Sequence, residues 1–138
     1  MNRDQLTAQL IVDEGRRAKP YVDTVGKVTI GVGRNLTDRG LSLAEVDFLL
    51  ANDIDLVQHE LDIALPWWTM LSDARQNVLA NMAFNMSVPR LLEFKKMLAA
   101  MLAGRWDAAS DEMLDSTWSR QVGARAGRLA AQMRKGEF

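Results

Sequence analysis

The chain has 138 residues, of which 48% are hydrophobic and 25% charged, and its formal net charge is −1. A chain of this length buries about 68% of its unfolded surface, so it can fold as one domain without covalent cross-links. The lack of cysteine excludes disulfides and thiolate chemistry, and the near-neutral charge argues against a nucleic-acid partner.

The N-terminal segment predicts an amphipathic helix. Asn2 and Gln5 resemble a capping box, apolar residues then recur at helical spacing, and Gly15 is placed to end the helix. Charged residues from Asp13 onward interrupt the short apolar stretch, so we expect no signal peptide. No run of residues approaches the length of a membrane span.

Residues 19–33 predict a small antiparallel hairpin. Pro20 resists helix formation, Asp23 to Gly26 is typical of a turn, and polar and apolar residues then alternate as in a strand. Residues 35–40 are predicted to form a loop.

The strand pattern places Thr29 on the same side as Gly31. If Val28 and Ile30 face the core, Thr29 faces the cleft. Glycines at 31 and 33 would then let a ligand approach the backbone closely.

The rest of the chain predicts helices. Ser42 and Glu45 form a capping box, and helical spacing continues to about Leu65, before Pro66. The segment 72–86 has apolar residues on almost all sides of the expected helix, which predicts a buried central helix. The later helices are predicted at 72–86, 89–104, 107–114 and 123–134.

Several residues have both a functional and a structural interpretation. Glu14 ends an apolar helix, where shielding from water favours a protonated carboxyl group that can act as a general acid. It can equally pair with Arg16 or Arg17. Asp23 can simply hydrogen-bond the turn, and Thr29 is an ordinary strand residue.

Taken together, these residues resemble a known family. The matching segments are 11–15, 19–23, 29–33, 81–86 and 104–109, with Phe94 and Trp118. In order and spacing they resemble the phage-type lysozymes, the endolysin muramidases of tailed bacteriophages in glycoside hydrolase family twenty-four.

The resemblance implies an α+β fold, mostly α, as a single lysozyme-like domain over residues 1–138. A small β-containing lobe with the inter-lobe helix would occupy residues 13–60. The helical lobe would comprise residues 1–12 and 61–138, and the sugar-binding cleft would lie between the lobes.

The resemblance also implies the chemistry. The family hydrolyses the β-1,4 bond between N-acetylmuramic acid and N-acetylglucosamine in peptidoglycan. Carried over, Glu14 matches the general acid, Asp23 the second carboxylate and Thr29 the hydroxyl beside it. No metal or organic cofactor is implied. The implied substrate-binding residues are Gly31, Arg34, Phe84, Asn85 and Arg125.

The same resemblance implies a role in host cell lysis. The partner would be the glycan strands of peptidoglycan, and a monomer is the expected state. We expect the protein to be made in the host cytoplasm and to reach the periplasm and cell wall through a separate membrane-permeabilising protein.

Two positions depart from the family pattern. Arg34 stands where histidine often follows the Gly-x-Gly, and it is expected to pair with Glu14, Asp53 or Asp55. Asn85 stands where glutamine is often found. Arg125 is a candidate partner for Glu14 or for the neighbouring Asp13. The Asp–Thr pair favours an inverting mechanism.

Other interpretations stay open. A lytic transglycosylase would not need Asp23, and a non-catalytic peptidoglycan-binding phage module would not need Glu14. The basic segment 116–138 is either a solvated helix face or an attraction to anionic cell surfaces. Trp67 and Trp68 favour a plug at a helix corner over a sugar-stacking platform.

Overall fold

The computed structural model describes all residues, 1–138, and contains eight α-helices and one three-stranded sheet. The predicted class, α+β and mostly α, is confirmed. By internal contacts the chain divides into a first unit, Met1–Leu49, and a second unit, Leu50–Phe138. The predicted grouping of residues 1–12 with 61–138 stays a prediction.

The first unit begins with helix α1, Arg3–Glu14. The side chain of Asn2 accepts a hydrogen bond from the backbone N–H of Gln5 at 3.0 Å, which confirms the N-terminal cap. At the other end, Gly15 has a φ of 76° and its N–H donates to the carbonyl of Ile11. Glycine takes this positive φ at little cost, so the helix ends with Glu14 as its last residue.

The sheet of the first unit is antiparallel, in the order β1 (Arg17–Val22), β2 (Val28–Gly31) and β3 (Arg34–Asn35). The predicted hairpin is therefore confirmed, with one strand more than expected. β3 contributes two residues, too few to show an alternating pattern, and its Asn35 had been predicted as loop.

Helix α2, Leu43–Ala64, starts in the first unit and continues into the second. The Ser42 hydroxyl accepts from the N–H of Glu45 at 3.2 Å, and the Glu45 carboxylate accepts from the N–H of Ser42 at 2.8 Å. This reciprocal pair is the predicted capping box. The helix ends just before Pro66, also as predicted.

The second unit is helical. After a short 3-10 turn at Pro66–Met70, it contains α3 (Asp73–Met86), α4 (Val88–Leu91), α5 (Lys95–Leu102), α6 (Trp106–Leu114), α7 (Thr117–Val122) and α8 (Ala124–Lys135). The central helix α3 supplies five buried residues, and α6 packs against both α5 and α8. The core is rich in leucine and methionine, and its largest fully buried members are Leu61, Leu79, Met82, Leu91, Met97, Met101, Met113 and Met133.

Three helix boundaries in the second unit differ from the prediction. The segment 89–104 is two helices, because the backbone tightens into i→i−3 hydrogen bonds at Glu93 and Phe94. Helix α6 begins at Trp106 rather than after Asp107. Helix α7 was not predicted, although Ser116 caps it by accepting from the N–H of Ser119.

Two of the four tryptophans are buried. Trp68 donates to the Asp62 carboxylate at 2.7 Å and also lines a groove of the second unit, so the choice between a plug and a sugar platform stays a prediction. Trp118 is buried and meets Phe94 edge to face. None of the helices is long and apolar enough to cross a membrane.

Candidate functional site

Glu14 lies at the end of α1 with its carboxyl group over the backbone of Gly33. A Cβ atom placed on Gly33 would be 3.0 Å from Oε2 and 3.2 Å from Cδ of Glu14. Because glycine has no side chain, the Glu14 carboxyl group can lie beside the turn between β2 and β3. Neither the helix pattern nor the strand pattern predicts by itself that Glu14 lies close to the backbone of Gly33.

The expected surroundings of Glu14 need correction. Helix α1 has no buried residue and Glu14 itself is exposed, so the predicted apolar shielding is absent within the first unit. The predicted alternative, an ion pair with Arg16 or Arg17, is not formed either. The guanidinium of Arg17 instead lies 4.4 Å from the centre of the Tyr21 ring.

Asp23 closes the turn between β1 and β2. Its Oδ1 accepts from the N–H of Val25 at 3.0 Å and from the N–H of Lys27 at 2.8 Å. Its backbone carbonyl also accepts from Gly26. The turn interpretation is therefore confirmed. Because one carboxylate oxygen makes these bonds, Oδ2 stays available to bind a water molecule or substrate.

Thr29 is buried, with 4% of its surface exposed, whereas its neighbour Val28 is 41% exposed. The assumption that Val28 faces the core is therefore wrong, and the expectation that Thr29 faces the cleft stays a prediction. β2 is the central strand, and Thr29 pairs with Tyr21 on one side and Asn35 on the other. Directly paired residues share a face of the sheet, so both half-buried neighbours flank Thr29. Its hydroxyl donates to the carbonyl of Lys27 at 3.1 Å.

Arg34 forms a two-pronged ion pair with Glu45. Nη1 donates to Oε2 at 2.8 Å and Nη2 donates to Oε1 at 2.6 Å. Hydrogen bonds from Arg34, and next from the backbone N–H of Ser42, lower the pKa of Glu45 to about 2. The same pair raises the pKa of Arg34.

The expected pair of Arg34 with Glu14 is therefore not formed, and the alternatives Asp53 and Asp55, which lie in the second unit, stay predictions. The sequence did carry a signal for Glu45. Its place in the capping box puts a carboxylate at the first turn of α2, where it is fixed by the helix start.

Gly31 and Arg34 both line a groove in the first unit, with a volume of about 720 Å³. Apolar side chains form much of its surface, among them Leu41 and Phe48. Phe48 is 68% exposed, so this groove is open to solvent.

Phe84 and Arg125 both line a second groove, of about 550 Å³, within the second unit. Arg125 donates to the Asn81 side-chain oxygen through Nε at 2.9 Å and through Nη2 at 2.7 Å. Asn81 is thus the partner of Arg125 within the second unit, and the expected pairing with Glu14 or Asp13 stays a prediction. An aromatic ring, a guanidinium and several amides can contact the apolar faces and hydroxyl groups of a sugar. The amide-bearing residues of this groove are Gln58, Gln76, Asn77 and Asn81.

Asn85 does not line this groove. Its side-chain oxygen accepts from Nε1 of the buried Trp118 at 3.0 Å. The structure therefore gives Asn85 a defined structural contact, and its predicted role in substrate binding stays a prediction. No group of three or more histidine, aspartate or glutamate side chains is placed to hold a metal ion.

Comparison with known proteins agrees with this architecture. A family model described as phage lysozyme matches residues 12–136. The pre-baseplate central spike protein Gp5 of Enterobacteria phage T4 is 32% identical over 85% of this chain, but the match covers 25% of that protein. This chain thus spans about a quarter of the length of that relative.

Two relatives from Dictyostelium discoideum match along nearly their whole length. Probable T4-type lysozyme 2 is 26% identical, over 95% of this chain and 94% of its own. Probable T4-type lysozyme 1 is 25% identical, over 90% of each. Because the family model matches almost the entire chain, the protein belongs to the phage lysozyme family.

Proposed function

We propose that this protein is a muramidase, which hydrolyses the β-1,4 bond between N-acetylmuramic acid and N-acetylglucosamine in peptidoglycan. The observation that carries the proposal is that two carboxyl groups, in a chain of this family, have no ion-pair partner. Glu14 has no ion-pair partner and lies over Gly33, and Asp23 keeps Oδ2 free while Oδ1 holds the turn. Glycosidic hydrolysis uses two such carboxyl groups.

In the proposed reaction, Glu14 donates its proton to the glycosidic oxygen as the bond to the anomeric carbon breaks. A water molecule attacks that carbon and gives its proton to Asp23. The Thr29 hydroxyl already donates to the Lys27 carbonyl, so its lone pairs can accept from this water. The product would have the inverted anomeric configuration, which NMR of freshly released sugars would test.

The glycan strand is the proposed substrate, and Phe84 and Arg125 are its proposed contacts in the second unit. Phe84 is 45% exposed in the groove, where a sugar ring can pack on it. Arg125 is held by Asn81 through Nε and Nη2, which leaves Nη1 as a donor to the substrate. Gly31 and Arg34 in the first unit and Asn85 in the second are further proposed contacts of the substrate.

For the biological role, we propose an endolysin that causes lysis of the host cell. It would be made in the host cytoplasm and would reach the wall through a separate membrane-permeabilising protein. The match to a quarter of the phage T4 spike protein favours a second candidate, in which the same hydrolase acts as one part of a phage tail assembly.

The decisive comparison is between the wild type and Glu14→Gln on outer-membrane-permeabilised Gram-negative cells and on purified peptidoglycan. We expect clearing and release of reducing ends by the wild type, and their loss in Glu14→Gln with an unchanged circular dichroism spectrum. Asp13→Asn is the matched control, because it removes one charge from the adjacent exposed residue of the same helix.

The products identify the reaction. Hydrolysis adds one water to each cleaved bond, whereas a lytic transglycosylase closes a 1,6-anhydro ring without water, so mass spectrometry separates the two. Clearing by Glu14→Gln as fast as by the wild type, without reducing ends, would reject hydrolysis and indicate membrane damage. A protein that binds peptidoglycan without cleaving it would be a wall-binding module.

A further inference from the structure

We propose that Glu45 is a positioning residue for the proposed hydrolysis, because it holds the guanidinium of Arg34 away from the carboxyl group of Glu14. This inference rests on the proposed function, and it assigns a catalytic consequence to a residue outside the group of Glu14, Asp23 and Thr29. It is carried by three contacts within the first unit.

The first contact places Glu14 beside the segment that carries Arg34. The Glu14 carboxyl group is so close to Gly33 that a Cβ there would lie 3.0 Å from Oε2. Arg34 is the next residue along the chain. Its long and flexible side chain therefore starts beside the proposed acid.

The second contact pairs this cation with Glu45. Both terminal nitrogens of Arg34 donate to Glu45, at 2.8 Å and 2.6 Å, and Nη1 also lies 3.4 Å from the carbonyl of Gly40. The Arg34 side chain is 23% exposed, less than any other side chain in the ion pairs of the structure. A paired guanidinium of this geometry is held in one orientation.

The third contact fixes Glu45 itself. Its Oε2 accepts from the backbone N–H of Ser42 at 2.8 Å as part of the capping box that starts α2. Because this carboxylate is fixed at a helix terminus, the guanidinium of Arg34 is paired with an anion that has little freedom to move. The start of α2 thus fixes the position of the charged residue that follows Gly33.

The other charged residues near Glu14 differ from Arg34 in sign, position or pairing. Asp13 lies on the same helix and is an anion. Arg16 follows α1 and is exposed, and Arg17 lies over the Tyr21 ring. Lys27, on the turn side of β2, pairs with Asp38 at 3.1 Å. Arg34 is the cation adjacent to the glycine that Glu14 contacts.

A cation close to a carboxylate favours its ionised form, whereas a general acid must hold its proton. Loss of the Glu45 charge should therefore free Arg34 to approach Glu14 and favour loss of the proton. Removal of Arg34 as well should reverse that effect. A purely structural ion pair would not produce this reversal.

The test is a pH titration of the full chain labelled with ¹³C at the glutamate carboxyl carbons, with the Glu14 signal assigned by Glu14→Gln. In Glu45→Ala we expect the midpoint of the Glu14 signal to fall by about one pH unit. In Glu45→Ala/Arg34→Ala it should return to the wild-type value. Glu45→Gln keeps the capping box and should shift the midpoint in the same direction, and it substitutes for Glu45→Ala if the latter does not fold.

Asp38→Asn is the matched control, because it removes one carboxylate charge from another ion pair of the first unit and should leave the Glu14 midpoint unchanged. Equal midpoints in the wild type, the Glu45 variants and the double variant would overturn the proposal. So would a fall in Glu45→Ala that persists after removal of Arg34.

Kinetics then connect the titration to catalysis. The alkaline limb of kcat/KM against pH should move with the Glu14 midpoint in each variant. An active enzyme whose alkaline limb stays in place in Glu45→Ala contradicts the inference alone. A wild type that releases no reducing ends contradicts the proposed function, and the titration still decides whether Glu45 controls the protonation of Glu14.

Discussion

The side chain of Glu14 lies so close to the backbone of Gly33 that a methyl group on residue 33 would have to push it back by a few tenths of an ångström. A Cβ on residue 33 would lie 3.0 Å from Oε2, 3.2 Å from Cδ and 3.3 Å from Cγ of Glu14. The residue proposed as the general acid is therefore positioned by the absence of a side chain on a neighbouring turn. We therefore predict that the second glycine of the Gly-x-Gly affects the proposed catalysis through the position of Glu14.

Gly33→Ala should consequently lower both stability and activity. The backbone at Gly33 has a φ of 68°, which costs a residue with a Cβ about 1–2 kcal/mol. The new methyl group also displaces the Glu14 carboxyl group, so we expect a further loss of stability and a fall in kcat. Urea unfolding and release of reducing ends measure the two effects.

Gly31→Ala is the matched control for stability, since Gly31 has a φ of 69° and open space where its Cβ would be. It should show the backbone cost alone. Removing the carboxyl group with Glu14→Ala should bring the cost of Gly33→Ala down to that of Gly31→Ala. If both alanine substitutions cost the same in the wild-type background, the contact with Glu14 has no energetic importance.

The sequence predicts those parts of the fold that depend on contacts between residues close together in the chain. The caps formed by Asn2 with Gln5 and by Ser42 with Glu45 each lie within four residues, so their patterns were visible. Helix α7 was missed because six residues give too short a period to detect. The break before α5 was missed because apolar residues continue through it.

The sequence names the residues of the candidate site, and the structure differs from the sequence-based expectations in the contacts that these residues make. The two carboxyl groups and Thr29 stood out through their spacing and the family resemblance. The pairing of Arg125 with Asn81 spans 44 positions, and a flexible guanidinium gives no sequence signal for its partner. The burial of Thr29 depends on β3, which the alternating pattern did not include.

The hydrogen bond between Trp118 and Asn85 should contribute measurably to stability. Trp118 is 6% exposed, and its Nε1 donates to the Asn85 side-chain oxygen at 3.0 Å. Asn85→Ala leaves this buried donor without a partner, which should cost about 1–3 kcal/mol in the free energy of unfolding. Urea unfolding followed by tryptophan fluorescence would measure the loss.

Asn85→Asp serves as the control, because aspartate presents an oxygen at the same place and should keep most of the stability. A double-mutant cycle with Trp118→Phe isolates the contact, since Asn85→Ala should cost less once the indole N–H is absent. Equal losses from Asn85→Ala in both backgrounds would show that the hydrogen bond is not the source of the effect.

Asp23 is expected to have two separable tasks, one for each carboxylate oxygen. Oδ1 accepts from the N–H groups of Val25 and Lys27, and asparagine presents an equivalent oxygen for both bonds. Asp23→Asn should therefore keep the unfolding free energy close to that of the wild type. It also removes the base proposed to activate water, so hydrolysis should fall by about 10²–10⁴.

Asp23→Ala completes this comparison, because it removes the turn bonds and the base together. Loss of two hydrogen bonds should cost about 1–3 kcal/mol in stability, since each contributes about 0.5–1.5 kcal/mol. Activity should be as low as in Asp23→Asn, because the same base is absent from both. Wild-type rates in Asp23→Asn would mean that Asp23 serves only the turn, and the second carboxyl group of the reaction would then have to be sought elsewhere in the chain.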